Sequence, residues 1–253
     1  MPADARTWPS SVFSLVTGSF LLPSGRLADM YGGYLLFQAG LVWFLVWTLI
    51  SGFSQNYQML IATRALAGLG PAAFLPASIM LLGKTYRPGP RKNLVFGLYG
   101  AVAPLGFFFG IIIGGVTVEY MTWRWYFFLG SIVLAAVCVT SFVTIPRDKG
   151  RDRDHGVDMD YLGMATIVPG LLLIVFAVTD GAHATNGWAT PYIIVTFVLG
   201  VLLLAAAVFV EGWVASQPLL PFDLFKPKYM IRLIVSLFFA YGTFGVYLLY
   251  GSF

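Results

Sequence analysis

Eight long apolar runs separated by short polar turns constrain this chain more than any other feature. They lie near 10–26, 34–53, 57–82, 94–117, 124–145, 161–179, 191–213 and 232–253, the first being the least apolar. A helix needs about 20 consecutive apolar residues to cross a hydrocarbon core about 30 Å thick, and each run approaches or exceeds that length. The expected fold class is therefore all-α, a polytopic helical membrane protein with about eight transmembrane helices. Composition agrees, since 58% of the 253 residues are hydrophobic and 10% charged, against roughly 25% charged in an average soluble domain. The third run contains Pro71 and Pro76, so a kinked helix is expected, its freed carbonyls satisfied by neighbouring helices or side chains.

Several function classes drop out. The net charge of +4 is the kind of excess that cytoplasmic loops contribute in a membrane protein, so no nucleic-acid partner is expected. Cys138 is the single cysteine and lies inside an apolar run, which leaves no intramolecular disulfide and no CxxC motif. His155 and His183 stand in separate polar segments without paired spacing. No metal site and no cofactor are expected. A membrane-embedded enzyme would need a nucleophile with a base, or paired ligands, and neither is visible. The start, MPADARTWPSS, has no basic region followed by a short apolar core, so no signal peptide is expected.

Charge placement sets an orientation. If the first run ends in the cytoplasm, that side collects twelve Lys and Arg, among them Arg26, Lys84, Arg91, Lys92, Arg147 and Lys228, while Arg6 and Arg124 fall outside. Such a bias fixes topology by the positive-inside rule, and both chain ends then face outward. Trp8, Trp123, Trp125 and Trp188 fall at outer boundaries and Trp213 near an inner one, as interfacial anchors do. The segment PRDKGRDRDHGVDMD, residues 146–160, carries nine charges and has the composition of a solvated linker. It divides the chain in two.

Three stretches carry more than hydrophobicity. GRLADMYGGY, residues 25–34, puts glycines that permit positive φ around Asp29, an acid able to hold a helix N-terminus or a basic partner. RALAGLGPAA, residues 64–73, sets Arg64 seven residues into its run, about 10 Å deep at about 1.5 Å per residue. An intramembrane guanidinium must find a partner, water or an interface, and by default marks a functional site; the alternative is a snorkelling arginine with a structural hydrogen bond. GLYGAVAPLGFFFGIIIGG, residues 97–115, places Gly106, Gly110 and Gly114 on one helix face, where another backbone can approach closely.

Together these stretches resemble the motifs of the major facilitator superfamily, in its fourteen-span drug:proton antiporter branch. Gly25, Leu27, Ala28, Asp29 and Gly32 match the gating loop between that family's second and third spans, although Met30, Gly33 and Tyr34 stand where basic residues are usual. Arg64, Gly68, Gly70 and Ala72 match the fourth-span motif, with Ala67 in place of glutamine. Gly97, Gly106, Gly110, Gly114 and Gly115 match the antiporter motif of the fifth span, with Ile111 in place of its proline and Pro104 seven residues earlier. YMTWRWYFFL (120–129), DYLGM (160–164) and LLPFDLFKPKYM (219–230) are similar to the segments that precede or open the sixth, seventh and ninth spans. The texture is most similar to a fungal branch that includes aminotriazole and boron resistance exporters and low-affinity ammonium transporters.

The resemblance implies a partial transporter fold. Residues 1–145 correspond to spans two to six of an N-terminal half, 146–160 to a cytoplasmic linker, 161–213 to two extra linker helices, and 214–253 to the start of a C-terminal half. It implies that Asp29 latches a helix of the opposite half, and that Arg64 and Gly68 line the central cavity and modulate proton or substrate binding. The expected function is export of small organic compounds or small ions coupled to protons, in the plasma membrane or the vacuolar membrane, by a truncated member of the family. The partners implied are the bilayer, the substrate and protons. Asp29, Glu119, Asp180 and Glu211 all lie near span ends, so no carboxylate at mid-membrane is a candidate proton carrier. Trp43, Trp47, Phe107 and Phe108 could stack on a flat compound or a cation, or pack against helices and lipid. A non-transporting membrane scaffold is the alternative reading, because a complete fold of this kind needs two halves around a midplane site.

Overall fold

The computed structural model describes residues 8–145, 156, 158–181, 184, 186–215, 217–220, 222–227 and 229–250. All eight apolar runs fold as helices: α1 (Trp8–Tyr31), α2 (Gly33–Gly52), α3 (Tyr57–Thr85), α4 (Pro90–Tyr120), α5 (Trp123–Thr144), α6 (Tyr161–Gly181), α7 (Pro191–Phe209) and α8 (Met230–Tyr250). No strand occurs among the described residues. Six of them, α2 to α7, are long and apolar enough to span a membrane, α7 with its π-helical extension Val210–Val214. α1 falls short because serines, Thr17, Arg26 and Asp29 dilute its apolar residues. The charged residues 147–154 of the expected linker, with His155 and His183, lie outside the described residues.

Local chemistry starts these helices where the sequence turns. The Asn56 side chain caps α3 by accepting the Met59 N–H at 2.7 Å. Pro90 and Pro191 open α4 and α7, where a missing N–H removes no helical bond. α3 runs without interruption through Pro71 and Pro76. Around the first proline, the Trp43 indole N–H of α2 donates to the Leu66 carbonyl at 2.7 Å, and the Thr17 hydroxyl of α1 donates to the Gly68 carbonyl at 3.0 Å. Neighbouring side chains thus bond carbonyls on either side of the turn that loses its donor.

Packing is inside-small and outside-large. The buried apolar residues are chiefly alanines, Ala28, Ala67, Ala72, Ala77, Ala177 and Ala207, while Leu, Val, Phe and Trp side chains crowd the exposed faces. This is the distribution expected where lipid, being as apolar as leucine, offers no reason to bury large side chains and helices associate by close backbone approach. α3 is the hub, packed on α1 and α2, and α5 packs against α2. A Cβ on Gly40 would lie 2.9 Å from the Gly70 carbonyl oxygen, and one on Gly70 would lie 2.9 Å from that of Gly40, so α2 and α3 cross backbone to backbone. α6 and α7 form a hairpin with the same device, since a Cβ on Gly200 would lie 3.1 Å from the Gly170 carbonyl oxygen. The hairpin docks on α1 through α6, and Trp8 meets Phe176 there at 5.5 Å between ring centroids. α4 buries only Thr117 and touches α5 and α3 lightly.

Candidate functional site

The glycine face of α4 corrects an expectation. Among the described residues no neighbouring backbone enters the groove at Gly106, Gly110 and Gly114: a Cβ on Gly97, Gly106, Gly110 or Gly115 would meet nothing within 4 Å, and one on Gly114 would meet the Tyr126 ring at 3.6 Å. The rings of α5 face these glycines across open space. The face borders a cleft of about 520 Å³ whose opposite wall is Trp123, Tyr126 and Phe127 of α5. A second cleft of about 480 Å³ lies between α4 and α8, lined by Gly100, Pro104, Phe108 and Tyr241, and Phe107 borders both. Among the described residues, then, the small residues of α4 border open space.

Arg64 stands behind the α5 wall. Its guanidinium lies 4.3 Å from the centroid of the Phe13 ring and 5.8 Å from that of Phe127, and its Nε donates to the Pro9 carbonyl at 3.4 Å. No carboxylate forms an ion pair with it among the described residues. Two ring faces and a carbonyl from α1 take the place of a counter-ion, an arrangement worth about 2 kcal/mol or more when desolvated. Phe127 belongs both to this cage and to the cleft wall, which connects the charge to the cavity.

Gly68, one helical turn after Arg64, holds the cage together. A Cβ there would lie 2.7 Å from the Phe13 carbonyl oxygen and 3.2 Å from Val16 Cβ. Only glycine lets α1 approach closely enough to lay Phe13 on the guanidinium. Sequence reasoning identified Arg64 and Gly68 but missed Phe13, Tyr126 and Phe127; the aromatic run WRWYFF opening α5 was the available signal.

The gating segment also differs from expectation. Gly25 to Tyr31 are the last turns of α1, not a loop, and the connection to α2 is Gly32 alone, at φ 95°. Its N–H donates to the Ala28 carbonyl at 2.9 Å, closing α1 at a backbone angle that glycine tolerates. Asp29 does not cap α2, whose N-cap is Gly32 with no side-chain bond, because a one-residue connection leaves Asp29 on the preceding helix. It is exposed and forms no hydrogen bond or ion pair among the described residues. Leu27 is half-buried, and Gly25 faces α3 with Pro76 Cβ 3.7 Å from where its own Cβ would be. Trp43 is spoken for by its bond to Leu66 and a contact with Trp47 at 5.8 Å on an exposed face.

A family model described as Major Facilitator Superfamily matches residues 3–253. Among curated proteins, the chain is 34% identical to the low affinity ammonium transporter of Saccharomyces cerevisiae over 98% of this chain and 49% of that protein. It is 35% identical to the aminotriazole resistance protein of the same yeast over 98% of this chain and 46% of that protein. It is 33% identical to the efflux pump terJ of Aspergillus terreus over 97% of this chain and 48% of that protein. The chain thus spans about half the length of the relatives it matches.

Proposed function

Because the chain belongs to the Major Facilitator Superfamily, a family of membrane transporters, we propose that it supplies the substrate-facing first part of a proton-coupled exporter of small organic compounds or small ions. Residues 1–145 are the N-terminal half from its second span onward, 146–160 a cytoplasmic linker, 161–213 two additional helices, and 214–253 the beginning of the second half. The end that carries Arg26 and Lys92 faces the cytoplasm, in the plasma or vacuolar membrane. Neither an enzymatic reaction nor a nucleic-acid partner belongs to this reading.

The observation that carries it is the caged Arg64 beside the α4–α5 cleft. A guanidinium held by rings and one carbonyl, without a fixed carboxylate, keeps its charge available to an anionic group, an acidic partner or a proton-dependent rearrangement at the cleft. Asp29, exposed at the end of α1, is open to the opposing half as a latch. Efflux-pump and resistance-protein relatives support the exporter class over a scaffold.

The test is a chimera in which this chain replaces the matching segment of the yeast aminotriazole resistance protein. It should restore growth on aminotriazole in a proton-gradient-dependent way. Arg64→Ala should abolish that activity with membrane insertion intact, and Arg64→Lys should rescue it only partly, since lysine keeps the charge without the planar fork. Full activity of the Arg64→Ala chimera would return the arginine to a structural role, and an inert but inserted chimera would favour the scaffold.

A further inference from the structure

Glu211 carries a carboxylate oxygen that its described surroundings leave unsatisfied. The residue is 7% exposed and sits in the π turn that ends α7, a local widening of the helix that recurs at functional sites. Its Oε2 accepts the Leu220 N–H at 2.9 Å, while Oε1 is buried without a partner among the described residues. Asp160, just before α6, repeats the pattern. Its Oδ1 accepts the Gly163 N–H at 2.8 Å, as a helix cap does, and its Oδ2 is likewise buried and unpartnered. The two idle oxygens converge on the bare α-carbon of Gly163, where an added Cβ would collide with both. Buried polar atoms left in this state mark the place of an ion or an ordered water.

Charge selects between them. Arg26 is the cation whose charge reaches Glu211, but its donors are committed elsewhere. Nε donates to the Asp158 carbonyl at 3.0 Å, and a terminal nitrogen donates to Gln217 Oε1 at 2.6 Å. Two carboxylates beside one guanidinium leave one negative charge, and the C-terminal end of α7 adds a partial negative charge of its own. Water would leave that excess standing and a divalent ion would overshoot it, whereas a monovalent cation neutralises it. Oxygens that flank one point can share such an ion, since oxygen ligands stand about 2.3–2.6 Å from a cation of calcium's size, which is also the size of sodium.

We propose that Asp160 Oδ2 and Glu211 Oε1 bind one alkali cation, sodium or potassium, in the gap that Gly163 leaves open. The ion joins the start of α6 to the end of α7 and, through the Leu220 amide on Glu211, to the segment that leads toward α8. It closes the hairpin at the end where Arg26 ties α1 to Gln217. This inference stands on the geometry of the joint and does not depend on transport.

Thermal unfolding of the chain in lipid nanodiscs, in sodium, potassium or N-methylglucamine chloride at one ionic strength, tests it. In sodium or potassium the unfolding temperature should rise by roughly 3–6 °C for each tenfold increase in the ion above its dissociation constant, and in N-methylglucamine it should not. Asp160→Asn and Glu211→Gln should each lose the response, and a Glu119→Gln control should keep it. Should either variant fail to fold, infrared difference spectra of the wild type serve instead: adding the ion should shift carboxylate bands of both an aspartate and a glutamate, told apart by isotope labelling of each residue type. Equal unfolding temperatures in all three salts overturn the proposal. So does a response that survives Asp160→Asn or Glu211→Gln, or a spectral shift confined to one label.

Discussion

Arg64 and Gly68 show what a single position can disclose. A charge seven residues into an apolar run demands compensation wherever the chain folds, because the cost of burying it is local. What compensates it is not local: Phe13 comes from α1 and Phe127 from α5, and no spacing rule connects them to residue 64. In the transporter chimera, Phe13→Leu should lower activity roughly tenfold, the equivalent of about 1.4 kcal/mol, without loss of insertion; unchanged transport would detach the ring from the function. Gly68→Val should cost about 1–3 kcal/mol as an overpacking change, read as a lower unfolding temperature in detergent, since its side chain meets the Phe13 carbonyl oxygen and Val16. Stability equal to wild type would show that α1 can back away freely.

Among the helices, glycine spacing was legible and its meaning was not. Gly106, Gly110 and Gly114 share a face of α4 by periodicity alone, yet that face borders a cleft, whereas Gly40 and Gly70, outside any four-residue ladder, mark the true backbone crossing. The two classes separate experimentally. Gly40→Leu should lower the unfolding temperature markedly, because its side chain would meet the Gly70 carbonyl oxygen and the Phe74 nitrogen at 2.9 Å. Gly110→Leu should leave stability within about 0.5 kcal/mol, as surface changes do, while filling the cleft and reducing transport by the chimera. Equal destabilisation by both would mean that another element covers α4. Gly32 is the reverse case: the sequence put a glycine turn at residues 25–34, and the structure compressed it to one residue, because helical hydrogen bonding continues through Tyr31 until a positive φ is reached.

The whole molecule has α3 at its centre and the α6–α7 hairpin docked on α1. The orientation expected from loop charges is tested by single cysteines in a Cys138→Ala background. Cysteines replacing Arg87 and Asp158 should label from the cytoplasm, and one replacing Asn186 from the opposite side. Labelling of position 186 from the cytoplasm would invert the topology.

The helices, their number and their approximate ends were determined by sequence alone. In lipid each backbone N–H and C=O must be satisfied within its own segment, so an apolar run of sufficient length folds as a helix whatever surrounds it. Tertiary structure alone decided which faces meet, which glycines are filled and which stay open, and that Arg64 rests on the Phe13 and Phe127 rings. Those outcomes depend on contacts between residues dozens of positions apart, such as Phe13 with Arg64 or Arg26 with Gln217. Lipid supplies no hydrophobic drive to choose among helix faces, so shape complementarity between small residues makes the choice. A helical period shows which residues share a face, but the opposing surface lies elsewhere in the chain.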